Sequence, residues 1–149
     1  MDHAYFMKLA LEEAQIGYDT GGVPVGAVLV EGGDVIGRGY NKRWQEGDPT
    51  AHGEMDCLRN AGRRRRYDTT TLYTTLSPCM MCAGTITQFG IKHVVIGEEE
   101  NFFGNANFLR DRGVKVTVLD DPVCKALMAR FITEKPELWD EDIAGNDPS

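Results

Sequence analysis

Two short motifs, each placed where a helix should begin, constrain this chain more than any other feature: His52-Gly53-Glu54 and Pro78-Cys79-Met80-Met81-Cys82. Cys79 and Cys82 are three residues apart in the first turn of a predicted helix, so both sulfurs can face one point. The free amides and positive dipole end of that turn favour the thiolate, the form that binds metal. His52 opens the preceding helix. The intervening residues suffice for a helix, a loop and a strand, a crossover that brings the second motif back beside the first. Both helix N-termini then open at the carboxyl ends of adjacent strands, where α/β sheets place their ligands.

The rest of the chain follows the same alternation. Asp2 can cap a first helix to about Tyr18, with Phe6, Leu9, Ala10 and Ala14 on one face. Val25 to Val30 reads as a buried strand, turned at Gly32-Gly33 into a second strand from Val35 to about Asn41. Trp44 to Thr50 is expected to be polar loop, and a helix starting near Asp48-Pro49 and running from His52 to Asn60 is closed by Gly62. Thr71 to Thr75 is a strand, and Ser77-Pro78 should cap a helix from Cys79 to Phe89. Strands at Lys92 to Ile96 and Val114 to Leu119 bracket a short helix at Asn107 to Arg112. Asp120 or Asp121 caps a helix to Glu134, and Pro136 opens a last helical segment to about Ile143. The expectation is one domain over residues 1–149, a three-layer α/β/α fold on a five-stranded mixed sheet, with Gly145 to Ser149 as a frayed tail.

Charge and composition narrow the function. A net charge of −7 opposes a phosphate backbone as the main partner, since nucleic-acid binding normally needs a basic face. The one basic run, Arg63 to Arg66, reads as a solvated loop. Residues 1–18 mix charged and apolar positions, unlike a signal peptide, and no apolar run approaches a membrane span. A cytoplasmic protein with no membrane partner is therefore expected, and its four cysteines read as thiols or ligands, not disulfides. Of these, Cys57 and Cys124 are expected to be small buried hydrophobes, with Met80 and Met81 as packing groups between the ligands.

Two sulfurs and one nitrogen suit zinc and leave one coordination position for water, the arrangement of a catalytic site; a structural site closes all four with protein groups. The other histidines, His3 and His93, lack ligand-like spacing to the cysteines. Glu54, two residues from His52, sits where it can take a proton from a zinc-activated water and pass it to a substrate. His-x-Glu followed by Pro-Cys-x-x-Cys is the signature of the zinc deaminases. A Cys-x-x-Cys alone would equally suit a redox pair or a zinc-stabilised binding module, in which Glu54 has no task.

With Gly21-Gly22-Val23-Pro24, Gly37-Arg38-Gly39-Tyr40-Asn41, Asp68 to Cys82 and Trp139 to Ile143 added, the chain resembles the fungal-type zinc cytosine deaminases of the cytidine deaminase-like superfamily. The resemblance implies one Zn2+ per chain held by His52, Cys79 and Cys82, with Glu54 as proton shuttle, and a homodimer. It implies hydrolysis of free cytosine to uracil and ammonia, a step of pyrimidine salvage. Asn41 would bond the ring O2 and N1 edge, with the Gly53 amide supporting O2. The Ser77 carbonyl and the Asp142 carboxylate would receive the exocyclic amine. Phe102 and Trp139 would wall the pocket, and the C-terminal segment would close it as a lid. The zinc motif alone also fits tRNA adenosine deaminases and guanine deaminases, so the same chemistry on guanine, isoguanine, isocytosine or creatinine, or on tRNA adenosine, stands as the alternative.

Overall fold

The computed structural model describes residues 2–145. Helix α1 (His3–Asp19) starts where the Asp2 carboxylate accepts the Tyr5 N–H at 3.0 Å, satisfying one free amide of the first turn. It leads into the hairpin β1 (Gly26–Glu31) and β2 (Asp34–Tyr40), turned through Gly32 and Gly33, both at positive φ. A short helix α2 (Arg43–Glu46) and then α3 (Gly53–Ala61) precede β3 (Thr70–Leu76). The chain continues through α4 (Met80–Phe89), β4 (His93–Glu98), α5 (Ala106–Asp111) and β5 (Lys115–Val118). Two helices close it, α6 (Pro122–Glu134), capped by Asp121, and α7 (Pro136–Asp142).

The strands run in the order β2-β1-β3-β4-β5. β1 pairs antiparallel with both β2 and β3, whereas β3, β4 and β5 are parallel, so the sheet is mixed. Strand side chains alternate between faces. Ala27 and Leu29 pack on one face with Cys57 of α3, Ala83 and Ile86 of α4 and Leu109 of α5. Val28 and Val30 pack on the other with Phe6, Met7 and Ala10 of α1 and Cys124 of α6. This is the three-layer arrangement. Burying a leucine or isoleucine as fully as Leu29 or Ile86 contributes about 1.5–3 kcal/mol each. A third cluster gathers Val25, Leu76, Phe102, Met128, Phe131 and Trp139. Val25 precedes β1 and Leu76 ends β3, so this cluster sits at the end of the sheet from which α3 and α4 depart.

Four local expectations change. Asp48 and Pro49 do not start a helix: the Asp48 carboxylate accepts the Thr50 N–H at 2.9 Å in a turn, and α3 begins only after the His52 cap. Part of the Trp44 to Thr50 loop is helical, because α2 is closed by Gly47 in the left-handed conformation at φ 64°. Ser77 and Pro78 do not cap α4. The Ser77 N–H donates to the Glu98 carbonyl at 3.0 Å, and the Pro78 carbonyl accepts from the Asn105 backbone N–H at 3.1 Å. The pair is thereby tied to the connections around β4 and α5, and Cys79 becomes the cap residue. Met80 is 55% exposed, the first residue of α4, so it does not fill space between the ligands. Cys57 and Cys124 are buried, as read from the sequence. Of the expected tail, only Gly145 falls within the described residues.

Candidate active site

His52 and Cys79 occupy equivalent places, each the N-cap of its helix with extended backbone (φ −71°, ψ 160° and φ −69°, ψ 175°). Neither side chain is used for capping, which leaves the imidazole and the thiol free to act as donors. Cys82, one turn into α4, completes the set. His52 Nδ1 lies 3.5 Å from Cys79 Sγ and 3.8 Å from Cys82 Sγ, and the three donor atoms fall within 4.8 Å of one another. That is one nitrogen and two sulfurs converging on a point, the donor chemistry of zinc; calcium and magnesium take oxygen ligands. No fourth His, Cys, Asp or Glu joins the group among the described residues. His3 instead meets the Tyr73 hydroxyl at 2.7 Å and His93 the Thr117 hydroxyl at 3.0 Å, both on the sheet.

The electrostatics suit a cation. The bond from Cys82 and the pull of His52 outweigh burial and bring the Cys79 thiol down to about 4. Cys82 is driven up by its bond to that thiolate and by burial, so the two sulfurs share one proton. Burial disfavours a charged His52, but the Cys79 thiolate and the Asp142, Cys79 and Glu54 charges dominate and carry it up to about 9. Glu54, buried in the first turn of α3, is pushed up to about 7 by burial first and by the Cys79 charge second. A carboxyl poised near neutrality beside a metal group can both take and give a proton.

The small cavity over this group is lined by eight residues singled out in the sequence: Asn41, His52, Glu54, Ser77, Cys79, Phe102, Trp139 and Asp142. Gly53 and Cys82 are not among the lining residues, though Cys82 belongs to the donor group. The absence of a side chain at Gly53 is required, since a Cβ there would come within 2.7 Å of the Val25 carbonyl oxygen. Asn41 is 1% exposed; its Oδ1 accepts the Arg43 N–H at 2.9 Å and its Nδ2 donates to Asp142 at 3.2 Å. One lone pair and one N–H of that amide remain for a ligand. Asp142 Oδ1 also lies 3.4 Å from His52 Nε2, opposite the nitrogen that faces the sulfurs. Burial pushes its carboxyl upward. Ser77 Oγ is buried with no hydrogen-bond partner. Phe102 and Trp139 meet edge to face, ring centres 5.8 Å apart.

Several contributors were not singled out from the sequence. Val25, Leu76 and Ile143 complete the lining, the first two as apolar residues at strand ends that enter the site. Glu98, at the end of β4, accepts the Glu100 and Asn101 N–H groups at 2.8 and 3.0 Å and so shapes the turn that presents Phe102. Arg43 pairs with Glu141, joining α2 to α7. An acidic residue next to Asp142 and an arginine two past Asn41 are the only sequence traces of that pair.

Comparison with known proteins agrees with this chemistry. The family described as the cytidine and deoxycytidylate deaminase zinc-binding region matches residues 1–98, which include all three donors and Glu54. A cytosine deaminase of Candida albicans is 47% identical over 140 residues, covering 92% of this chain and 93% of that protein. A tRNA-specific adenosine deaminase of Buchnera aphidicola is 38% identical over 148 residues, 90% of each. A structure from a study of A-to-I editing by tRNA:A34 deaminases superposes with TM-score 0.74 and 31% identity, over 83% of this chain and 99% of that one. The three donors, the carboxylate beside them and the sheet that presents them thus share an origin with a zinc-dependent hydrolase fold, and this chain belongs to the cytidine and deoxycytidylate deaminase family.

Proposed function

We propose that the chain deaminates free cytosine to uracil and ammonia. The observation that carries this reading is a fully buried asparagine amide, Asn41, facing the same small cavity as Glu54 and the His52–Cys79–Cys82 group. An amide offering one donor and one acceptor matches the O2 and N1–H edge of a free pyrimidine, which a ribose at N1 would block. The likeness to the Candida albicans cytosine deaminase along nearly the whole chain points the same way. Zinc, when bound, supplies the acidity that makes a water nucleophilic near neutral pH.

The side chains do the rest. Glu54 accepts the proton of the attacking water and delivers it to ring N3, which draws electrons from C4. It then takes the proton of the new C4 hydroxyl and passes it to the exocyclic amine, so that the C4–N bond breaks, ammonia leaves and the C4 carbonyl of uracil forms. The Gly53 amide supports O2, while the Ser77 carbonyl and Asp142 receive the amine. Phe102 and Trp139 wall the pocket with apolar surface and exclude water. Helix α7, which contributes both Trp139 and Asp142, acts as the lid over one single-domain subunit. Among the described residues no helix is long and apolar enough to cross a membrane. The reading makes the enzyme a cytoplasmic homodimer in pyrimidine salvage, the dimer being testable by sedimentation.

The direct test is ammonia release by the zinc-loaded protein from a panel of cytosine, cytidine, guanine, isocytosine and creatinine. Cytosine should yield uracil with equimolar ammonia and cytidine should be inert; turnover of cytidine or guanine in preference to cytosine would refute the reading. A second reading, editing of tRNA adenosine, is favoured by the Buchnera and tRNA:A34 similarities. It meets a chain of net charge −7, whose Arg64 and Arg66 are paired with Glu31 and Asp68 at 2.6 Å each. Filter retention of labelled tRNA at moderate salt separates the two, and tight retention would favour editing.

A further inference from the structure

Asp56 lies in α3, two residues beyond Glu54, and is only 4% exposed. A buried carboxylate without partners would be costly, and this one has several. Its Oδ2 accepts the Tyr40 backbone N–H at 3.1 Å and lies 3.1 Å from Lys42 Nζ, while Oδ1 lies 3.2 Å from the same ammonium. The Asn60 side-chain amide approaches Oδ2 at 3.4 Å. β2 is an edge strand, paired only with β1, so its outward N–H groups find no strand partner. At Tyr40 the Asp56 carboxylate takes that place. The approach depends on Gly39, where a Cβ would stand 2.6 Å from Asp56 Oδ2 and 2.5 Å from the Cys57 backbone nitrogen.

Tyr40 and Lys42 flank Asn41 on both sides. The Asn41 N–H itself donates to the Val25 carbonyl at 2.9 Å, and the Lys42 N–H to the Ala51 carbonyl at 2.8 Å, next to His52. One carboxylate therefore ties the residue before Asn41 and the residue after it to the helix that begins at His52 and carries Glu54. We propose that Asp56, through its ion pair with Lys42, is a positioning residue that sets the distance between the substrate-reading amide of Asn41 and the metal and proton-transfer groups of α3. Asp56 does not line the cavity, so its carboxylate acts through Tyr40 and Lys42, which hold Asn41 between them. The inference rests on Asn41 reading the substrate edge, as argued above.

A double-mutant cycle tests it. Asp56→Asn keeps the shape and the acceptor for Tyr40 but removes the charge that holds Lys42. Lys42→Met removes the same pair from the other side, and Lys42→Arg keeps the charge. Each is made alone and with Asn41→Ala; cytosine kcat/KM, uracil affinity by calorimetry, zinc content and melting temperature are recorded. With zinc at one per chain, Asp56→Asn and Lys42→Met should each lower kcat/KM about tenfold to hundredfold and weaken uracil binding, a geometric cost. Lys42→Arg should recover most of it. In the Asn41→Ala background the same changes should alter uracil affinity by less than about twofold, because effects through one residue do not add. Equal losses in both backgrounds, or a fall in melting temperature with affinity unchanged, would overturn the positioning role. Normal cytosine kinetics in Asn41→Ala alone would instead remove the premise, and the inference with it.

Discussion

His52, Cys79 and Cys82 differ in protonation once the protein is stripped of metal. The imidazole, carried up to about 9, holds its proton at pH 7.5. Cys79, brought down to about 4, has lost its proton, and Cys82, raised by its bond to that thiolate, keeps one. Zinc accepts only neutral imidazole and thiolate, so uptake at pH 7.5 should release about two protons per chain. Calorimetry in buffers of different ionisation enthalpy measures this. Each proton released makes affinity rise with pH, so zinc should bind about a hundredfold tighter per pH unit between about 4 and 9, where His52 and Cys82 hold protons and Cys79 does not. A release near zero, with affinity flat in pH, would contradict the protonation pattern. At this scale the sequence spoke clearly for the donors and Glu54, because metal ligation and proton transfer demand particular residue types at fixed spacing. It was silent on Asp142 facing His52 Nε2 and on Glu98 shaping the Phe102 turn, since a carboxylate far along the chain carries no local sign of its partner.

Helices α3 and α4 owe their function to how they begin. Both start at a residue whose side chain makes no cap, and α3 passes so close to the segment before β1 that only glycine fits at position 53. Gly53→Ala should therefore push the helix start away from the Val25 carbonyl, costing about 1–3 kcal/mol of stability and displacing His52 and Glu54. Thermal melting and zinc titration check this; unchanged values for both would mean the helix start can shift freely. α7 offers the complementary case. Deleting the chain from Trp139 onward removes no zinc donor but opens the cavity, so zinc content should hold while KM for cytosine rises at least about tenfold. An unchanged KM would reject the lid. Most elements were legible from alternation, caps and glycine stops. α2 was missed because four residues carry too little periodicity, and the start of α4 because Ser77 and Pro78 are tied to Glu98 and Asn105 by contacts only the folded chain creates.

Across the whole molecule, the sheet divides by direction of pairing: an antiparallel half, β2-β1-β3, and a parallel half, β3-β4-β5. β3 belongs to both and ends at Leu76, directly before Ser77 and the cysteine motif. That placement lets a hairpin-derived asparagine and two helix starts meet over one cavity, and it follows from strand order, which the sequence reading did not specify. The proposed chemistry is hydrolysis at a zinc centre in which Glu54 moves the proton. Zinc stoichiometry and ammonia release from cytosine, measured on the same preparations of the native protein and Glu54→Gln, test it most directly. One zinc per chain in both, with turnover reduced at least about a hundredfold in the variant, is the expected result. Near-native turnover by Glu54→Gln, or cytosine deamination by a protein shown to hold no zinc, would contradict it.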